Sequence, residues 1–101
     1  MNVLCFYASE KQHHAGMPLH EWLLKEAQAL GIPGGSAFRA LAGYGRHGRM
    51  HEETFFELAG ELAVKVEFVL ADDQAGQLLE RLRVCNLNLF YTRFAVQTGT
   101  I

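Results

Sequence analysis

The chain has little of what marks specialised protein classes: it has two cysteines, two prolines and no long apolar run. No stretch approaches the ~18 apolar residues of a membrane span, and residues 1–7 lack the basic start of a signal peptide. We therefore expect a cytoplasmic protein without membrane insertion. Cys5 and Cys85 form no C-x-x-C pair, which favours two buried structural thiols over a redox or zinc motif.

An excess of charge of one sign is also missing. Nine Lys and Arg stand against eleven Asp and Glu, for a formal net charge of −2. A protein that binds nucleic-acid backbones needs a basic excess on one face, so we expect no nucleic-acid partner. The length of 101 residues suits one domain spanning residues 1–101.

Apolar patterns predict strands that alternate with two helices. The predicted strands are residues 2–8, 36–42, 54–59, 62–70 and 87–97. In the 54–59 segment, the adjacent Phe55 and Phe56 fit neither the alternation of a strand nor the 3.6-residue period of a helix. We favour a strand over a helical turn there. The first helix starts at Pro18, keeps Trp22 on its apolar face and stops at Gly31; the second is capped by Asp72.

This order predicts an α+β fold of the ferredoxin-like βαββαβ type, an antiparallel sheet with both helices on one face. The uncovered face is predicted to carry Tyr7, Leu41, Lys65, Glu67, Val69, Leu89, Tyr91 and Arg93. So apolar a face favours self-association. The large aromatic side chains predicted to lie in the core are Trp22, Phe38, Phe90 and Phe94.

The segment 43–51, Gly-Tyr-Gly-Arg-His-Gly-Arg-Met-His, is the main candidate for a functional site. Its glycines permit positive φ angles, so that consecutive N–H groups can form an anion-binding nest. Its arginines add paired donors, and its histidines donate when protonated. The candidate ligand-binding residues are Arg39, Gly43, Tyr44, Gly45, Arg46, His47, Gly48, Arg49 and His51.

Other interpretations of these residues stay open. The segment is alternatively a plain surface loop whose arginines pair with Glu52 and Glu53. Arg39 either reaches the same ligand or pairs with Glu67 on the neighbouring strand. His47 and His51 lie four residues apart, but no Cys or carboxylate completes a metal set, and we assign no metal site.

Nothing in the sequence supports an enzyme. Residues 9–12, Ser-Glu-Lys-Gln, do not match the glycine-rich phosphate loop that follows the first strand in acylphosphatases. A Ser-His-Asp order and a helix-opening P-loop are also missing.

Several stretches together resemble an uncharacterised bacterial family related to the PII nitrogen-signalling proteins. These stretches are Gly16-Met17-Pro18-Leu19-His20, Gly31-Ile32-Pro33-Gly34-Gly35, Arg39-Ala40-Leu41-Ala42-Gly43-Tyr44-Gly45, His51 and Val66-Glu67-Phe68. The resemblance spans nearly the whole chain.

The resemblance implies a trimeric signalling or regulatory protein whose central loop projects as a sensor. PII proteins bind adenine nucleotides between subunits, so ATP, ADP and AMP are the implied ligands, and a protein partner is expected to dock on residues 43–53. Tyr44 belongs to the Gly-Tyr-Gly turn rather than to a modification site. The alternatives are a CutA-type trimeric metal-binding protein, which would need His47 or His51 across subunits, and a small ferredoxin-like enzyme.

Overall fold

The computed structural model describes residues 1–44 and 63–101. Within them, a four-stranded sheet carries two helices on one face. A short hairpin made of two two-residue strands precedes the first helix. In chain order the elements are β1 (Asn2–Ser9), β2 (His13–His14), β3 (Met17–Pro18), α1 (Leu19–Ala29), β4 (Gly35–Arg39), β5 (Ala63–Leu70), α2 (Asp72–Arg83) and β6 (Phe90–Ala95). The predicted strand at 54–59 lies outside the described residues.

The sheet order is β4-β5-β1-β6, with every neighbouring pair antiparallel. This is the order of a ferredoxin-like fold, as predicted. Strand β1 lies in the middle and is buried along almost its whole length. Strands β4 and β6 form the two edges.

The core lies between the sheet and the helices. Alternate residues of β5, from Val64 to Leu70, face it, because side chains of a strand alternate between the two faces. Phe6 and Phe68 meet edge to face, with ring centroids 6.3 Å apart. Trp22 is buried on α1, as predicted.

Helix α1 ends in a Schellman motif, which requires a left-handed residue after the last turn. Gly31 supplies it with φ +84°. The Gly31 N–H donates to the Gln28 carbonyl at 3.0 Å, and the Ile32 N–H donates to the Ala27 carbonyl at 3.1 Å. The predicted stop at Gly31 is therefore confirmed.

The start of α2 differs from the prediction. Ala71 is the N-cap and Asp72 is the first helical residue, because the Gln74 side chain accepts the Ala71 N–H at 3.0 Å and caps the end. Asp72 instead accepts a hydrogen bond from the Asn2 side chain, and Arg93 Nη2 lies 3.8 Å from its Oδ1. Asp72 thus ties the start of α2 to β1 and β6.

The face of the sheet away from the helices, here called the open face, is apolar and partly exposed. By strand register it carries Val3, Cys5, Tyr7, Phe38, Lys65, Glu67, Val69, Phe90, Thr92 and Phe94. Cys5 is buried there between the flanking strands. Phe38, Phe90 and Phe94 are about half exposed or more, so their assignment to the core was wrong: they lie on the open face of edge strands.

Four other residues predicted for this face lie elsewhere. Leu41 follows the end of β4 and is almost completely exposed. Tyr91 and Arg93 pair with Phe6 and Leu4, which puts them on the helix side. Leu89 precedes β6 and packs against the core. The two alternating sets of β6 are both rich in large side chains, so the sequence alone does not fix which set faces the helices.

Gly35 provides a sharp test of the packing. A Cβ atom at this position would lie 2.6 Å from Phe68 Cδ1 and 3.1 Å from Leu24 Cδ2, and Phe68 is fully buried. We expect Gly35→Ala to lower the free energy of unfolding by about 1–3 kcal/mol, as overpacking does, measured by urea denaturation.

Gly34→Ala is the matched control. A Cβ at Gly34 meets nothing within 4 Å, so its effect should stay within about 0.5 kcal/mol. Equal stability of the two variants would contradict the described packing of β4 on Phe68.

Candidate functional site

The candidate site begins at one end of the sheet, where β1 and β4 end and β5 starts. Ser9 pairs with Ala63, and Arg39 pairs with Val64. The Ala40 N–H donates to the Ala63 carbonyl at 2.9 Å and continues the ladder past β4. Residues 41–44, which lead into the 43–53 segment, therefore follow a hydrogen-bonded strand end.

Arg39 stands at this strand end and binds Glu10. Its Nε donates to Glu10 Oε1 at 2.8 Å. The Arg39 side chain is 64% exposed and the Glu10 side chain 26%. Glu10 follows the last residue of β1, so the pair bridges the ends of two strands that are not neighbours in the sheet.

The alternative pairing of Arg39 with Glu67 is wrong. Arg39 lies opposite Val64, whose side chain faces the core, whereas Glu67 lies opposite Ser36 on the open face. The two side chains leave opposite faces of the sheet. Glu10 was missed because it is distant in sequence and only the sheet order brings it to β4.

Of the remaining candidate residues, the structure describes Gly43 and Tyr44. Both are exposed, Tyr44 almost completely. Gly43 has no positive φ, and a Cβ there would meet nothing within 4 Å; its part in an anion-binding nest stays a prediction. The candidates outside the described residues are Gly45, Arg46, His47, Gly48, Arg49 and His51.

A short hairpin missed by the sequence analysis follows β1. Ala15 and Gly16 have φ angles of 53° and 81°, the two positive values of a type I′ turn, and join β2 to β3. The Leu19 N–H donates to the Gln12 carbonyl at 2.8 Å and fixes the hairpin to the start of α1. In the sequence, Gly16 was the residue that could have indicated this turn.

The hairpin histidines have structural contacts. The His14 ring meets the Trp22 ring at a centroid distance of 4.3 Å, and His13 Nδ1 lies 2.9 Å from the Lys11 carbonyl oxygen. In residues 1–44 and 63–101, no group of three His, Cys, Asp or Glu side chains is placed to hold a metal ion. No helix in the same residues is long and apolar enough to cross a membrane.

Comparison with known proteins identifies the family. The DUF190 family, described as "Uncharacterized ACR, COG1993", matches residues 1–97. A UPF0166 protein of Aquifex aeolicus (strain VF5) is 31% identical over 81 residues, which cover 80% of this chain and 77% of that protein. The chain belongs to the DUF190 family.

The fold has a neighbour among solved structures. The crystal structure of a "putative PII-like signaling protein" from Thermus thermophilus matches with a TM-score of 0.56 and 16% sequence identity, covering 92% of this chain and 81% of that one. At this identity the likeness establishes the fold. The predicted family and ferredoxin-like fold are confirmed.

The exposure of Arg39 and Glu10 predicts a weak coupling between them. In a double-mutant cycle with Arg39→Ala and Glu10→Ala, followed by urea denaturation, we expect a coupling of about 0.2–1 kcal/mol, as for other solvated pairs. The exposed pair of Glu80 and Arg83, 2.9 Å apart, provides a reference cycle, in which we expect a coupling energy of similar size. A coupling of about 3 kcal/mol, typical of buried pairs, would contradict the solvated geometry.

Proposed function

We propose that this protein is a PII-like regulatory protein that binds a small anionic ligand through residues 43–53, with Arg39 at the base of the site. ATP, ADP and AMP are the first candidates for the ligand. The observation that carries the proposal is an exposed arginine at the strand end from which the Gly- and Arg-rich segment leaves, in a chain with a PII-like fold.

The contact of Arg39 leaves it able to bind a second anion. Glu10 engages the Nε atom, and a guanidinium carries five N–H donors in a planar fork. The edge formed by Nη1 and Nη2 is suited to two oxygens of a phosphate or carboxylate. Because an exposed ion pair contributes little, the Glu10 contact does not prevent the guanidinium from turning this edge toward a ligand.

The sequence of the 43–53 segment supplies further donors. Arg46 and Arg49 add two guanidinium groups, and His47 and His51 add imidazoles. A ligand that binds one arrangement of this segment more tightly than others shifts the population toward it. The segment then presents a different surface to a partner protein, which is the regulatory step that we propose.

The open face supports assembly with further copies of the chain. Phe90 is 68% exposed, and Phe38, Val69 and Phe94 are each more than 40% exposed. Lys65 and Glu67 project from the same face, so the apolar surface carries charges of both signs that a second copy can complement. With the resemblance to PII proteins, we propose a homotrimer.

Nucleotide binding is tested by titration calorimetry. ATP, ADP and AMP, with and without magnesium, are titrated into protein whose mass has been determined by light scattering. We expect saturable binding at one site per chain. Arg39→Ala should weaken it about tenfold, because a hydrogen bond to a charged group is lost, and Arg46→Ala with Arg49→Ala should weaken it further.

Lys25→Ala is the matched control, since it removes one positive charge from the exposed surface of α1. It should leave the affinity unchanged. No heat with any of the three nucleotides would remove them as ligands. Equal losses in Arg39→Ala and Lys25→Ala would show that the site lies elsewhere.

Assembly through the open face is tested with Phe90→Asp. A carboxylate buried in an apolar interface is strongly unfavourable, so the mass measured by light scattering should fall from three chains to one while the circular dichroism spectrum stays folded. Val84→Asp is the control: Val84 is 79% exposed at the end of α2, and its variant should keep the wild-type mass. A trimeric Phe90→Asp variant, or a monomeric wild type, would contradict the proposed interface.

A further inference from the structure

A cleft of about 220 Å³ lies on the helix side of the sheet, on the other face from the open face. It is enclosed by the last turns of α2, the connection from α2 to β6 and the edge strand β6. A cleft of this volume has room for several waters.

The floor of the cleft is aromatic and aliphatic. Phe6 and Tyr91 contribute rings whose centroids are 6.0 Å apart and whose planes are inclined by 44°. Phe6 is buried, whereas Tyr91 is 43% exposed. Leu79 and Leu82 of α2 also line the cleft. Such a surface favours a flat apolar group.

The rim of the cleft is polar. Asn86 and Asn88 both line it with φ angles of 55°, a left-handed conformation that asparagine tolerates better than most residues. Among the described side chains that line the cleft, Arg83 is the one with a charge, and none is a carboxylate. The rim is therefore complementary to a negative group.

Arg83 has donors beyond those used in its ion pair. Its Nη1 donates to Glu80 Oε1 at 2.9 Å, and both side chains are largely exposed. That contact leaves the edge formed by Nε and Nη2, which matches the two oxygens of a carboxylate. Glu80 itself is not a lining residue of the cleft.

We propose that this cleft binds a small carboxylic acid with a flat apolar body. The apolar body lies on Phe6 and Tyr91, and the carboxylate accepts hydrogen bonds from Arg83, with the Asn86 and Asn88 amides beside it. This proposal does not depend on the function proposed above.

The test is an NMR titration of the full chain with 3-phenylpropionate, followed through backbone amide shifts. We expect saturable shifts concentrated in residues 79–91 and at Phe6, and weaker binding of the uncharged 3-phenylpropionamide. Arg83→Gln should weaken binding of the acid about three- to tenfold, because a charge-assisted hydrogen bond is lost. The same variant should leave binding of the amide unchanged.

Arg81→Gln is the matched control on the same helix, since Arg81 binds Glu26 of α1 at 2.8 Å and does not line the cleft. It should keep the wild-type affinity for the acid. No saturable shifts, shifts centred outside the cleft, or equal affinities for acid and amide would overturn the proposal. The probe has neither a phosphate nor a nucleobase, so a failure of the probe to bind does not count against nucleotide binding at Arg39. A failure of the nucleotides to bind likewise does not count against the cleft.

Discussion

The pairing of β1 on both of its edges is the constraint on which the rest of the structure depends. All eight of its residues pair with β5 on one side, and the first six pair with β6 on the other. Almost all of them are buried. Because β1 is central, its last residues lie beside the start of β5 and near the end of β4. Glu10, which follows β1 directly, can therefore reach Arg39. The position of the candidate site is a consequence of sheet order.

The two faces of the sheet differ in what covers them. The helix side is closed by α1 and α2, which are joined by the Arg81–Glu26 pair, and it leaves a cleft beside β6. On the open face, Phe90 and Phe94 stay exposed. Apolar surface of this kind is more stable when covered, which is why we assign assembly to the open face and ligand binding to the sheet end and the cleft.

The sequence predicted the fold well where the spacing of apolar residues matched the period of a strand or a helix. The alternation of Val64 and Val66 with Lys65 and Glu67 identified β5 and its buried face, and Gly31 marked the end of α1. The β2–β3 hairpin was missed because two-residue strands are too short to show a period. The side chains of β6 were assigned to the wrong faces because both of its alternating sets contain large residues. At the candidate site, Arg39 was found from its strand position, but its partner Glu10 requires the sheet order.

The central claim is that Arg39 is the base of an anion site. Its most direct test is the Nε–Hε resonance of Arg39 in a ¹H–¹⁵N NMR spectrum, assigned by its loss in Arg39→Lys and followed during addition of ATP. The account predicts a saturable shift of this resonance, because an anion bound at the Nη1 and Nη2 edge changes the charge distribution of the guanidinium whose Nε–H contacts Glu10. A resonance that stays in place while ATP saturates the protein, or no saturation at all, would contradict it.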